Sequence, residues 1–250
     1  MLAGLSAPLS TRVAKAKAKA KAKAAPRAKQ GTLPFRPQHG GRRPGAGRKP
    51  KGPQAGVSHA PRAPLAARFP AHVTAKLREH LPALRRKDAY AALRAAFAGG
   101  CDRNGFRLIH YAVLNDHLHF VVEATGRQAL SRGVQGLLVR VARALNRLWG
   151  RRGRVFGDRF HDRILKSPRE VRNALVYVLG NVRHHAAAGR MVAAPQPVDT
   201  FTSAPWFDGF RELLVVRNLP AERPVTDART WLLTIGWRRH GLLAVLERPA

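Results

Sequence analysis

Cysteine, tyrosine and acidic residues are all scarce in this chain. Cys101 is the single cysteine among 250 residues, which excludes an internal disulfide and any zinc site built on a cysteine pair, and fits a reducing cytoplasm. No apolar run approaches the roughly 18 residues of a spanning helix, so a membrane protein is not expected. The mildly apolar start, Met1 to Ser10, follows no basic segment, which argues against a secretory signal. Acidic residues number 14 against 46 Lys and Arg, a formal net charge of +32, and an excess of that size points to a polyanionic partner, by default nucleic acid. A Gly-Lys-Ser/Thr phosphate loop is also missing, which excludes the common nucleotide-hydrolysing design.

The acid deficit is sharpest at the front. Residues 1–64 hold fifteen Lys or Arg and no Asp or Glu. With its Lys-Ala alternation and frequent Pro and Gly, this stretch has no apolar face to bury and reads as a disordered basic tail. Within it, Arg42, Arg43 and Arg48 stand among Gly and Pro in an AT-hook-like segment, suited to a narrow minor groove and to phosphate contacts. A merely solvated tail is the plain alternative.

From residue 65 periodic apolar residues replace the low-complexity pattern, and 45% hydrophobic content is enough for a core. The pattern predicts a strand over 71–78 and a helix over 88–98, with Asp88 as N-cap and Gly99-Gly100 as the stop. Two strands over 106–113 and 117–123 form a hairpin through Leu114-Asn115-Asp116. A long helix over 127–149 sets Val134, Leu138, Val141, Leu145 and Leu148 toward the core and Arg140, Arg143 and Arg147 on another face, where they suit a phosphate backbone. A strand over 160–165 and a helix opened by Ser167-Pro168-Arg169-Glu170, a capping box, complete the domain. The order β-α-β-β-α-β-α predicts an α+β fold: a ferredoxin-like or RRM-like antiparallel sheet with helices packed on one face. The domain is expected to end near 190, followed by an accessory segment over 191–250 whose short amphipathic stretch, Trp231 to His240, either docks on the domain or touches DNA.

His117-Leu118-His119 lies in a strand, so both imidazoles project to one face and Leu118 to the other, an arrangement suited to a divalent cation. On the last helix, placing Val171, Leu175, Val178 and Val182 inward gathers Asn173, Tyr177, Asn181 and His184 on the opposite side. Tyr177 is a competent nucleophile toward a polarised phosphate, and Asn181, one turn on, offers an oxygen ligand. Glu123 shares the strand parity of the two histidines and is a rival ligand, about 13 Å from His119 at strand rise. His161 is a candidate for orienting a ligand or binding phosphate. Tyr90 and Tyr111 are the only other tyrosines. Tyr90 has no evident partner, and Tyr111 either lines the same pocket or packs.

The run Asn115-Asp-His-Leu-His-Phe120, then Gly153-Arg-Val-Phe-Gly-Asp-Arg-Phe-His161, then Tyr177-Val-Leu-Gly-Asn181 resembles the single-tyrosine HUH transposases, particularly the REP-associated group, over roughly residues 65–190. Relatives often continue Asn-Pro after the last position, where this chain has Asn181-Val182. The resemblance implies His117 and His119 as ligands of Mg²⁺ or Mn²⁺, Asn181 as third ligand, and Tyr177 as the nucleophile that attacks single-stranded or hairpin DNA to leave a 5′-phosphotyrosine. Arg159 and Arg163 are then placed to stabilise the phosphate in the transition state. The expected setting is the bacterial cytoplasm, at the nucleoid, with active sites formed within one chain or across a homodimer. A domesticated, non-catalytic binder of hairpin DNA is the alternative, and a metal-dependent nuclease using activated water a weaker one.

Overall fold

A computed structural model describes residues 62–181, 198–213 and 222–247. Arg42, Arg43 and Arg48, like Val182 and His184, lie outside the described residues. The elements are β1 (Ala71–Lys76), α1 (Lys87–Ala98), β2 (Asp102–Arg103), β3 (Phe106–Val113), β4 (His117–Ala124), α2 (Arg127–Leu148), β5 (His161–Ile164), α3 (Pro168–Leu179) and a one-turn α4 (Trp231–Thr234) that runs into a 3₁₀ turn, Gly236–His240. Among the described residues these strands pair antiparallel in one sheet, in the order β2-β3-β4-β1-β5. With the two-residue β2 set aside, β-α-β-β-α-β with the first strand between the third and the fourth is the ferredoxin-like arrangement. The α+β fold expected from the sequence is therefore present.

Strand alternation gives the sheet two apolar faces. Val73, Leu118, Phe120 and Val122 point to one side, where they meet Leu93 and Phe97 of α1 and Leu130, Val134, Leu137, Val141 and Leu145 of α2. Ile109, Ala112 and Val121 point to the other, against Val171, Leu175 and Val178 of α3 and Leu232, Leu233, Trp237 and Val245 from the C-terminal part. Helices α1 and α2 thus share one face, and α3 covers the opposite one. A bulge in β3 between Leu108 and His110 breaks strict alternation, so that both Ile109 and His110 serve the α3 side.

Local signals decide most element ends. Ser167 accepts the backbone N–H of Glu170 at 3.2 Å while the Glu170 carboxylate accepts the N–H of Ser167 at 3.1 Å, closing the capping box with Pro168 in the first turn. Asp88 stands inside the first turn of α1, where its carboxylate accepts the N–H of Ala89 at 2.8 Å, and the N-cap is Arg86. In α2 the buried row runs through Leu137, with Leu138 partly buried and Leu148 39% exposed. A stripe of steps of three and four drifts across a helix of 22 residues, and the last turn has left the sheet.

His110 is buried, its Nδ1 3.2 Å from Ser203 Oγ and its ring edge-on to Phe207. Burial lowers its pKa from 6.5 to about 4, so the folded state holds it neutral. Protonation then favours the unfolded chain. Stability from this group is complete above pH 6.5 and is lost as pH falls toward 4. Of the stability lost between pH 7 and pH 5 in urea unfolding, His110→Asn should remove about 2 kcal/mol; an equal fall in the variant assigns the acid sensitivity to other groups.

Candidate active site

Position along β1 and β4 builds the site. The register pairs Lys76 with His117, Thr74 with His119 and His72 with Val121, and on the other side of β1 pairs Thr74 with His161 and His72 with Arg163. His72, Thr74, His117, His119, His161 and Arg163 therefore share the α3 face of the sheet, because directly paired residues point the same way. Leu118, Phe120 and Val73, buried in the other core, fix that orientation: a one-residue slip would exchange apolar and polar faces.

Tyr177 comes to these residues from α3. Its ring lies 5.1 Å from that of His119 and 5.7 Å from that of His72, edge-on to both. The two histidines of β4 are 4.8 Å apart with perpendicular rings. His119 Nδ1 is 3.1 Å from Thr74 Oγ1 and 3.1 Å from His72 Nε2, and His117 Nδ1 is 2.7 Å from an Asp116 carboxylate oxygen. Each imidazole thus has its Nδ1 engaged by a neighbour, the arrangement by which a histidine is held to present Nε2 to a cation. Burial, reinforced by the nearby His161 and Arg163, lowers His72 to about 4, so His72 is neutral at pH 7 and able to accept the Nδ1–H of His119.

Beside Tyr177 opens a cavity of about 510 Å³ lined by His72, Arg163, Asn173 and Tyr177, with Arg172 and Glu247 at its wall. Arg163 is exposed and ion-paired to Glu170 at 3.2 Å. Arg172 donates to Glu247 at 2.9 Å and to the carbonyl of Gly241 at 3.1 Å, tying α3 to the C-terminal part.

The other described residues singled out from the sequence lie inside the fold or apart from this cluster. Helix α3 stops at Leu179 with Gly180 as its C-cap, so Asn181 lies past the helix end rather than on its exposed side. It is fully buried, and neither polar atom of its amide has a hydrogen-bond partner among the described residues. Arg140, Arg143 and Arg147 are exposed on α2, across the sheet from Tyr177. Arg159 is exposed and lines a different cavity, with Arg62 and Phe160. Tyr111 belongs to the α1 side, its hydroxyl 2.9 Å from that of Tyr90. Burial raises both phenols, Tyr90 to about 12, so neither is suited to attack. Glu123 is buried; it accepts from Arg107 and from the backbone N–H groups of Arg229 at 3.0 Å and Thr230 at 2.7 Å. Its lone pairs serve the fold.

His72 and Thr74 were not among the residues chosen from the sequence. The signal was present in Ala71-His-Val-Thr-Ala-Lys76, whose alternation sets three polar residues on one face, but its meaning depends on β1 pairing with β4. Among the described residues no group of three His, Cys, Asp or Glu side chains is arranged around a metal position. A cation here would use two imidazoles and an oxygen of another kind, and the buried, unsatisfied amide of Asn181 has the right chemistry.

Residues 69–164 match the family model described as Transposase IS200 like, a similarity that runs from just before β1 to the end of β5. The match includes His72, His117 and His119 and stops short of Tyr177. No curated protein matches the chain. Among solved structures, that of the REP-associated tyrosine transposase bound to a REP hairpin is 16% identical, covering 60% of this chain and 84% of that one with a TM-score of 0.46. A candidate transposase from Deinococcus radiodurans R1 is 13% identical, covering 54% of this chain and 98% of that one with a TM-score of 0.35.

The contacts of Glu123 make a prediction separable from catalysis. Glu123→Ala leaves the guanidinium of Arg107 and two backbone N–H groups without their acceptor, and should lower stability by about 3 kcal/mol. Chemical denaturation measures this, and a change below about 0.5 kcal/mol, the scale of an ordinary surface substitution, would refute the anchoring role.

Proposed function

We propose that this chain is an IS200-like transposase and that it cleaves and rejoins single DNA strands through a covalent tyrosine intermediate. The observation that carries the reading is the meeting of Tyr177 with the His119–His72 pair beside an open cavity that also holds Arg163. In the forward step Tyr177 Oη bonds to a backbone phosphorus and the bond from phosphorus to the 3′-oxygen breaks. The phenol gives up its proton, and the departing 3′-oxygen gains one. The product is a 5′-phosphotyrosine and a free 3′-hydroxyl, and attack by a 3′-hydroxyl reverses the chemistry without an external energy source.

The residues around Tyr177 divide the remaining work. Arg163 places positive charge where the phosphate oxygens would lie, favouring the more highly charged transition state. Thr74 and His72 hold His119 by its Nδ1, and Asp116 holds His117 in the same way. His117 and His119 through Nε2, with the amide oxygen of Asn181, would hold Mg²⁺ or Mn²⁺, which when bound withdraws charge from the scissile phosphate. The net charge of +32 gathers DNA by counterion release, and the basic tail with Arg42, Arg43 and Arg48, together with Arg140, Arg143, Arg147 and Arg159, extends the phosphate-binding surface. The substrate is single-stranded or hairpin DNA, and the setting is the bacterial cytoplasm at the nucleoid.

Two measurements test this. Labelled hairpin DNA incubated with the protein and Mg²⁺ or Mn²⁺ should yield a slow-migrating, protease-sensitive adduct on a denaturing gel. Tyr177→Phe should abolish the adduct while leaving the dissociation constant within about twofold, since one hydroxyl contributes little to backbone binding. A broad panel of hairpins bound but never captured would instead establish a non-catalytic binder, and cutting without an adduct would establish water as the nucleophile. Calorimetric titration of Mn²⁺ should show affinity weakened about 10–100-fold by His72→Phe, the range for losing a partner that orients a ligand; unchanged Mn²⁺ affinity refutes the positioning role of His72.

A further inference from the structure

Across the sheet from Tyr177, a cleft of about 750 Å³ runs between α2 and the β2–β3 turn. Its wall carries Arg103, Arg127, Arg132 and Arg140 and no carboxylate. Arg127 is neutralised by Asp162 at 2.6 Å, whereas Arg103, Arg132 and Arg140 have no ion-pair partner among the described residues. Three uncompensated positive groups lining one cleft repel one another, and nothing in the core gains from their convergence.

The floor of the cleft holds a second anomaly. Gly133 and Gly136 both lie inside α2 and both line the cleft, although glycine is the least favourable helix residue after proline. Gly133 has a packing reason, because a Cβ there would collide with the buried ring of Phe106. Gly136 has none: a Cβ built on it would meet nothing within 4 Å. A glycine that destabilises its helix and leaves open space beneath three unpaired arginines fits a ligand whose bulky, charged backbone approaches the helix closely.

We infer that this cleft grips the phosphodiester backbone of a DNA duplex, the paired stem of a hairpin whose unpaired strand reaches Tyr177 on the far face. The inference rests on DNA being the partner and adds where the stem is held. The cleft favours a duplex over a single strand because the one aromatic residue in its lining, Phe106, is buried, and sequence-tolerant single-strand sites depend on exposed rings for base stacking. Arg103, Arg132 and Arg140 contact phosphates, and Gly136 lets the backbone settle against α2.

Fluorescence anisotropy with a labelled hairpin and with an unstructured single strand of equal length tests the assignment in the full chain. Arg132→Ala and Arg140→Ala should each weaken hairpin binding about tenfold near 0.1 M salt and reduce the slope of log affinity against log salt by about 1, the effect of one lost phosphate contact. Both should change single-strand affinity less than about twofold. Gly136→Leu keeps the charge and improves helix propensity, so it should raise the melting temperature by roughly 2–4 °C and still weaken the hairpin about tenfold or more. Wild-type hairpin affinity and salt slope in all three variants would overturn the cleft while leaving DNA binding intact. Equal losses for hairpin and single strand would overturn the duplex assignment, and wild-type protein that binds neither probe would remove the DNA reading together with the cleft.

Discussion

The pairing of β1 with β4 is the constraint from which both the core and the site follow. Each strand alternates apolar and polar side chains, and the register fixed by Val73, Leu118 and Phe120 in one core leaves His72, Thr74, His117 and His119 together on the other face. The imidazoles need no dedicated scaffold, since the packing that holds the sheet also sets their direction. Because His119 is bonded to Thr74 and His72 through Nδ1, its ring is fixed from within the sheet, not by a loop. Only Tyr177 has to be delivered from a separate element.

That delivery depends on the second apolar face. Helix α3 packs on Ile109, Ala112 and Val121 beneath it and is covered by Leu232, Leu233 and Trp237 from above. Arg172 with Glu247, and Glu123 with the N–H groups of Arg229 and Thr230, tie the covering segment down at two points. The hydroxyl-bearing face of α3 is left at the rim of this sandwich, where buried helix and open cavity meet. Charge is distributed to match: the face bearing Tyr177 is rich in histidine, and the opposite side carries the arginines of α2.

Much of this was legible in the sequence, and the limits were physical. Local signals survived where neighbours within a few positions decide them: the capping box at Ser167 and Glu170 and the hairpin at Leu114 to Asp116 held, whereas the stripe of α2 held at Val134, Val141 and Leu145 but not at Leu138 or Leu148. His117, His119 and Tyr177 could be chosen because their spacing on a strand and a helix carries meaning by itself. His72 and Thr74 could not, because their role arises from a strand pairing across more than forty residues. Asn181 was placed by extending the periodicity of α3 through Gly180, where the helix in fact ends. The amphipathic stretch Trp231 to His240 was legible, but whether it docks or touches DNA was not; Trp237 is 1% exposed, a burial conferred by the face that receives the segment and not by its own pattern.

The docking of residues 231–245 onto a face made from residues 109–121 and 171–179 also governs the order in which the molecule can be completed. During synthesis the sheet and α3 emerge first, and their second apolar face has no cover until Trp231 to Val245 have left the ribosome. Closing contacts at such sequence separation carries a large loop-closure cost and is slow relative to local helix formation. A half-built sheet of this kind offers a sticky face to like chains, and the formal net charge of +32 opposes such contact by like-charge repulsion.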